Sequence, residues 1–289
     1  MKYFRKLSDI LINSNILIAC AAIFQCVLTY LILDNEVNYY ILIIEGTSTL
    51  LLYNFSLVAS KPKKPELSPF YRTRWFFLNI KYIYSISFIA LVFLLYSLMH
   101  IHYQTLIYLS GIGVLSLLYG LPIFKLNGKN VGLRQFPALK VFYISLLWSL
   151  SGVGLPIVEM FFNNVSINWY VANYLGISKI LFLVICTLPF DIRDVKSDRH
   201  YGLKTIPILI GEYSSKRLCY VLLLIHTVSV AFSPYIFEIK LGLLFVNFLV
   251  FCILKFIVFA IKESYTSVYM LDFVLVLQCL IVWLFILIS

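Results

Sequence analysis

A short acidic stretch in the second half of the chain carries residues that could do chemistry. Asp191, Asp194 and Asp198 are spaced three and four residues apart. On a helix these positions fall within an arc of about 60°, because one turn takes about 3.6 residues. Hard oxygen ligands that point the same way suit Mg²⁺, which completes its shell with water and substrate phosphate. The stretch therefore predicts a metal site for a phosphorylated substrate.

A second interpretation of this stretch needs no metal. Basic side chains interspersed among the acids could neutralise them at a solvated helix end: these are Arg193, Lys196 and Arg199. The residues that follow favour a built site. Gly202 can take a left-handed turn after a helix, and Pro207 can begin the next one. Between them, Lys204 brings a phosphate-seeking cation close to the carboxylates.

The elements that position this stretch must be membrane helices, because the chain is too apolar to be a soluble protein. Of its 289 residues 62% are hydrophobic and 12% are charged, against about 25% charged in soluble domains. This excludes a soluble enzyme, a secreted module and a disordered chain. Apolar runs long enough to cross a bilayer predict about nine spans: Ser14–Leu33, Tyr39–Ala59, Trp75–Leu98, Gln104–Phe124, Leu139–Val158, Tyr170–Phe190, Ser215–Phe232, Ile239–Ala260 and Tyr269–Ile288.

The basic residues predict how these spans are oriented. If the N-terminus is cytoplasmic, 19 of the 23 Lys and Arg residues fall in cytoplasmic loops, as the positive-inside rule requires. The net charge of +10 is then explained by orientation, and nothing about it requires nucleic acid. We expect one all-α, polytopic domain over residues 1–289, in the inner cell membrane, with the acidic stretch on the cytoplasmic side.

The acidic stretch and its continuation resemble the second aspartate-rich motif of the UbiA superfamily of intramembrane prenyltransferases. The motif DxRDxxxDxxxGxKTxPxxxG is matched from Asp191 to Gly211. Weaker similarities lie around Tyr119–Lys125 and Leu146–Gly152.

The resemblance implies a cytoplasm-facing cavity in which two aspartate-rich motifs hold Mg²⁺ around the diphosphate of a polyprenyl donor. Asp191, Asp194 and Asp198 would be the metal ligands and catalytic residues. The family transfers the prenyl group to an aromatic or other lipid-soluble acceptor. An apolar tunnel open to lipid would accommodate the prenyl tail.

The first motif of the family, NDxxDxxxD, is degenerate in this chain. Asn54 matches its Asn, but Phe55, Val58 and Pro62 occupy the Asp positions, and none of them can ligate a metal through its side chain. The diphosphate-binding residues implied for this chain are Asn54, Lys61, Lys125 and Lys204.

Two functions follow, and both stay open. In the first, the chain is a prenyltransferase in which lysines such as Lys61 stand in for the missing metal. In the second, it is a catalytically degenerate member of the family that binds an isoprenoid lipid or acts as a scaffold. Lys63 and Lys64 also fit a simpler role, in which a basic patch beside the membrane attracts anionic lipid headgroups.

Overall fold

The computed structural model describes residues 9–68, 71–120, 124–126, 129–133, 136–200, 202–260 and 267–288. The helices of these ranges, beyond a first turn at residues 9–13, are α1 (Ile16–Ile32), α2 (Tyr39–Ala59), α3 (Tyr71–Leu78), α4 (Ile80–Leu98), α5 (Tyr103–Gly120), α6 (Leu139–Ser149), α7 (Leu155–Phe162), α8 (Trp169–Arg193), α9 (Val195–His200), α10 (Ile206–Ile210), α11 (Glu212–Ala231), α12 (Phe237–Ile253) and α13 (Met270–Ile288).

Each predicted span coincides with a helix over most of its length. In the part of the chain that the structure describes, six helical segments are long and apolar enough to cross a membrane: Tyr39–Ala59, Ile80–Leu98, Leu139–Phe162, Trp169–Arg193, Phe237–Val258 and Ser267–Ile288. Two further apolar helices are shorter, Ile16–Ile32 and Tyr103–Tyr119. The chain is therefore an integral membrane protein by length and composition, whereas nine crossings and an inside N-terminus stay predictions.

The fourth predicted span differs from the structure at its end. We expected helix as far as Phe124, but α5 ends at Gly120 and Phe124 begins a short strand, Phe124–Leu126. This strand (β1) pairs antiparallel with β2 (Lys129–Val131). The backbone N–H and C=O groups after the end of α5 need hydrogen-bond partners, and the two strands of this hairpin provide them for each other. Lys125 lies on β1, and its side chain falls outside the described part of the structure.

The fifth span is one continuous helical segment with a π-helical turn in its middle. Leu150–Gly154 forms a π-helical turn that joins α6 to α7. Thr29 Oγ1 donates to the carbonyl of Gly152 at 2.7 Å, and Tyr108 Oη donates to that of Leu150 at 3.0 Å. Hydroxyl groups from neighbouring helices thus donate hydrogen bonds to backbone carbonyls of the π turn.

The helix α8 lies at the centre of the bundle, and α4 lies on its outside. In the most apolar stretch of α8, 61% of residues are buried, against 17% for α4. Phe182, Ile185 and Leu188 are fully buried on α8. On α4, large apolar side chains such as Phe88 and Phe93 are more than half exposed, as expected for a surface that lipid covers.

A buried polar network ties three helices together in the middle of the bundle. Lys179 on α8 donates to the side-chain carbonyl of Gln25 on α1. The amide of Gln25 donates to the carbonyl of Leu275 at 2.6 Å and to Gln278 at 3.1 Å, both on α13. Polar side chains at this depth are costly unless they are paired. The network therefore fixes the register of α1, α8 and α13, which also line the site described next.

Candidate functional site

A cavity of about 190 Å³ opens at the end of the bundle where α8 terminates. Its charged and amide lining residues are Asn15, Arg72, Lys140, Asp191, Arg193, Asp194 and Asp272, and the hydroxyl residues Ser145 and Thr187 also line it. Aromatic rings form another part of the wall, from Tyr53, Trp148, Phe190 and Tyr269. Deeper walls are apolar, with Ile144, Leu183 and Leu275. The cavity therefore presents charges at one end and hydrocarbon at the other.

The acidic stretch does not continue as one helix. The helix α8 ends at Arg193, Asp194 is its C-cap residue, and α9 starts at Val195. Asp194 pairs with the adjacent Arg193, with 2.8 Å between Arg193 Nε and Asp194 Oδ1, and it lines the cavity together with Asp191. The continuous helix assumed for the three carboxylates is thus interrupted at Asp194, and their common direction stays a prediction.

Asp191 and Asp198 do converge, and they converge on a lysine. Lys140 Nζ lies 2.7 Å from Asp191 Oδ1 and 3.0 Å from Asp198 Oδ2. Each aspartate is only 2% exposed. Removing carboxylates from water is costly unless a cation shares them, and Lys140 supplies that cation. The other oxygen of Asp191, Oδ2, is buried without a hydrogen-bond partner.

The loop after the acidic stretch anchors Lys140. Gly202 has a φ of 69°, the left-handed conformation predicted for it, and Leu203 N–H donates to the carbonyl of Asp198 at 2.9 Å. The carbonyl of Lys204 then accepts a hydrogen bond of 2.8 Å from the N–H of Ala138, which is the N-cap residue of α6. The start of α6, and with it Lys140, is thereby attached to the acidic loop.

Gly202 and Pro207 of this loop are placed as the sequence predicts, whereas Lys204 is not in the cavity. Pro207 lies in the first turn of α10, whose N-cap is Thr205. Gly202 makes the left-handed turn after α9. The side chain of Lys204, however, is exposed and is not part of the cavity lining.

Asn54, the one residue that matches the first motif, faces a neighbouring helix instead of the cavity. It is 3% exposed. Its Oδ1 accepts a hydrogen bond of 2.8 Å from Asn15, and its Nδ2 donates to Ser87 at 3.0 Å. Asn54 therefore stands behind the cavity wall, with Asn15 between it and the cavity.

Of the other positions of the first motif, two are exposed and Val58 is half-buried. Phe55 is 60% exposed, and Pro62 is exposed as well. Lys61 is exposed, and its Nζ lies 5.6 Å from the centre of the Phe77 ring. The cavity lining does not include Lys61. The structure thus brings Asp191 and Asp194 into the cavity wall, joins Asp198 to Asp191 through Lys140, and leaves Lys61 and Lys204 outside.

Sequence reasoning counted Arg72 as one of several basic loop residues, but the structure places it at the site. Its Nη2 donates to Asn15 Oδ1 at 2.5 Å, and its Nη1 donates to Tyr269 Oη at 3.1 Å. The guanidinium groups of Arg72 and Arg193 lie 5.7 Å and 5.1 Å from the centre of the same Tyr269 ring. Arg72 Nε is buried without a hydrogen-bond partner. Two cations are thus fixed on one aromatic ring at the cavity wall.

The two Mg²⁺ sites implied by the resemblance do not fit these side chains. Lys140 occupies the space between Asp191 and Asp198, and Arg193 pairs with Asp194. At the first motif, Phe55 and Val58 offer no oxygen ligand. Among the residues that the structure describes, no three His, Cys, Asp or Glu side chains are grouped to hold a metal ion.

Comparison with known proteins shows a fold and no sequence relative. No family profile and no curated protein sequence matches the chain. Among solved structures, it resembles a UbiA homologue from Archaeoglobus fulgidus. The form bound to GPP and Mg²⁺ has a TM-score of 0.62 at 12% identity, over 96% of this chain and 99% of that one. The form bound to DMAPP and Mg²⁺ has a TM-score of 0.60 at 11% identity, over 97% and 99%. The chain therefore has a UbiA-like fold over nearly its whole length.

Proposed function

We propose that the chain is a membrane protein of the UbiA superfamily that binds a polyprenyl diphosphate in this cavity. We further propose that it transfers the prenyl group to an aromatic or other lipid-soluble acceptor. One observation carries the proposal: in a UbiA-like fold, Arg72, Lys140 and Arg193 line a cavity with aromatic and apolar walls, together with Asp191, Asp194 and Asp272. Lys140 and Arg193 are paired with aspartates, so of these three cations Arg72 is the one available to an anionic head, and the apolar walls suit a hydrocarbon tail.

The described side chains can perform the steps of such a transfer. Guanidinium groups bind phosphate oxygens through paired hydrogen bonds, and Arg72 and Arg193 are already oriented by Tyr269. As the allylic carbon–oxygen bond breaks, its electron pair leaves with the diphosphate, and fixed cations stabilise the charge that develops there. The aromatic faces of Tyr53 and Trp148 can shield the allylic cation from water. The acceptor carbon then attacks this cation, and its proton passes to water.

The apolar part of the cavity would hold the first part of the prenyl tail. Ile144, Leu183 and Leu275 line this part of the wall. Beneath it, Gln25 donates to the carbonyl of Leu275, so that the polar network of Lys179 lies directly under an apolar floor. A longer tail would therefore leave the cavity sideways toward lipid, between helices.

A non-catalytic role is the second candidate, and one observation favours it. The aspartates of the second motif are paired with Lys140 and Arg193, and the first motif lacks its carboxylates. A protein arranged in this way would bind a prenyl diphosphate, or a related isoprenoid lipid, without activating its leaving group.

The two candidates are separated by measuring binding and turnover in the same preparation. Protein in lipid nanodiscs is incubated with radiolabelled geranyl diphosphate, and retained label is counted. Release of inorganic diphosphate is then followed with phenolic and naphthoquinone acceptors. We expect retention, and we expect it to fall at least tenfold in Arg193→Gln but not in Lys240→Gln, which lies outside the cavity lining. Retention with diphosphate release indicates the transferase, retention alone indicates the binding protein, and no retention contradicts both.

A further inference from the structure

We infer that Lys140 is the resident cation of the second acidic motif, and that this chain holds a diphosphate group without a divalent metal. The part that concerns Lys140 stands on the geometry alone. The part that concerns diphosphate rests on the proposed function.

Lys140 forms ion pairs with two buried aspartates at once. Its ammonium lies 2.7 Å and 3.0 Å from two different aspartates, Asp191 and Asp198. Both carboxylates have side chains only 3% exposed, and that of Lys140 is 14% exposed. Two buried carboxylates so close together repel one another unless a cation lies between them. Lys140 therefore takes the role that a metal would otherwise have.

The position of Lys140 is set by the backbone as well as by its charge. It is the second residue of α6, and the N-cap of that helix, Ala138, has a φ of 57°. The hydrogen bond from Ala138 N–H to the carbonyl of Lys204 attaches this unusual N-cap to the loop that follows Asp198. The ammonium and the two carboxylates thus belong to one connected unit, although Lys140 and Asp198 are far apart in sequence.

A divalent ion cannot share this position with Lys140. Mg²⁺ needs oxygen ligands at about 2.1 Å in near-octahedral geometry, and Asp191 Oδ1 and Asp198 Oδ2 are directed at the ammonium. A metal bound to these oxygens would lie within a few ångströms of Lys140 Nζ, and the two positive charges would repel one another. Metal binding between the two aspartates therefore requires removal of the lysine.

The degenerate first motif is linked to a cation, Arg72, where the family pattern has metal ligands. The first motif contributes no carboxylate, and Asn54 bonds to Asn15 instead. Asn15 in turn accepts from Arg72, whose Nε is buried and unpartnered. The residue that survives from the metal motif thus positions a guanidinium. Arg72 is then the cation through which a diphosphate would be held without a metal, beside carboxylates that Lys140 and Arg193 neutralise.

The first arm of the test uses Mn²⁺ alone, detected by electron paramagnetic resonance, on full-length protein in nanodiscs. We expect no retained Mn²⁺ in the wild type at sub-millimolar concentration. Lys140→Met should create a site with at least tenfold higher affinity, and Lys140→Met/Asp191→Asn should lose it again. Lys204→Met is the matched control, because its side chain is exposed in the same loop, and it should behave as the wild type. Retention of Mn²⁺ by the wild type that Asp191→Asn abolishes would overturn the inference.

The second arm needs no variant, so it decides the question even if Lys140→Met does not fold. Retention of radiolabelled geranyl diphosphate by the wild type is measured with excess chelator and with Mg²⁺. We expect the two affinities to agree within threefold. Retention that requires Mg²⁺ would overturn the inference and leave the proposed function standing. Absence of retention in both conditions would reject the proposed function, and the Mn²⁺ arm would still decide the role of Lys140.

Discussion

Asn15 and Asn54 are joined by a buried hydrogen bond of 2.8 Å between α2 and the residue that precedes α1. This bond gives Asn54 a structural role even though the aspartates of the first motif are missing. Asn15 has a φ of 65° and is the N-cap residue of α1, and its Oδ1 accepts from Arg72. Asn54 therefore holds in place the side chain that orients a guanidinium at the cavity.

Asn54→Ala should weaken both packing and ligand binding. Interhelical hydrogen bonds in membranes contribute about 0.6 kcal/mol each and at most about 1.7, and Asn54 makes two. We expect a lower midpoint of thermal unfolding in detergent and a severalfold loss of geranyl diphosphate retention. Ser60→Ala is the control, because Ser60 is exposed and bonds only within its own helix end. Equal retention by Asn54→Ala and the wild type would show that Asn54 does not position Arg72.

Arg72→Gln should reduce diphosphate retention about ten- to hundredfold, because hydrogen bonds to charged groups contribute about 1.5–3 kcal/mol. Arg74→Gln is the matched control two residues along α3. Arg74 donates to the carbonyl of Ser68 and is not in the cavity lining. We expect its retention to match the wild type in the same nanodisc assay. Similar losses in both variants would point to general electrostatic attraction instead of a defined contact.

Gly202→Ala should destabilise the loop that anchors Lys140. Gly202 has a φ of 69°, where a side chain costs about 1–2 kcal/mol. The control is Gly111→Ala on α5, where an added Cβ meets no atom within 4 Å and a helical Ala is favoured by about 0.5–1 kcal/mol. Thermal unfolding should therefore shift down for Gly202→Ala and slightly up for Gly111→Ala. A downward shift in both would remove backbone strain as the explanation.

Gly154→Ala should disturb the wide turn of the fifth span. An added Cβ would lie 2.0 Å from Tyr108 Oη, so the tyrosine must move and give up its bond to the carbonyl of Leu150. Overpacking of this kind costs about 1–3 kcal/mol, which differential scanning fluorimetry would detect. Gly152→Ala, in the same turn, is the control, since its Cβ would lie 3.7 Å from Gln25 Cβ. Matching midpoints for the two variants would contradict this account.

The helical fold was largely predictable, because hydrophobicity alone identifies segments that must satisfy their backbone within a membrane. The span Tyr39–Ala59 agrees at both ends with α2. The break at Asp194 was not predictable from the spacing of the aspartates, because a regular helix had to be assumed there. The turn at Gly202 was predictable, because glycine adopts the left-handed conformation after a helix more readily than other residues.

The candidate site was predictable only where its residues are neighbours in sequence. The resemblance led to Asp191 and Asp194, which line the cavity. It could not lead to Lys140, since no local pattern connects that residue to aspartates more than fifty positions later. Arg72 and Tyr269 are separated by 197 residues, and only the packing of the bundle brings them together.

The π-helical turn at Leu150–Gly154 lies between α6 and α7 and affects how the side chains of one helix are rotated about the axis relative to those of the other. Each helical residue advances the side-chain direction by about 100°, and a π turn holds one residue more than an α turn. Deletion of that extra residue would restore an ordinary α turn and leave Lys140 facing Asp191. Deletion of a residue between Lys140 and Leu150 would instead rotate Lys140 by about a quarter of a turn relative to α7. The wide turn thus accommodates one more residue in the span without disturbing the charges of a cavity to which it contributes no side chain.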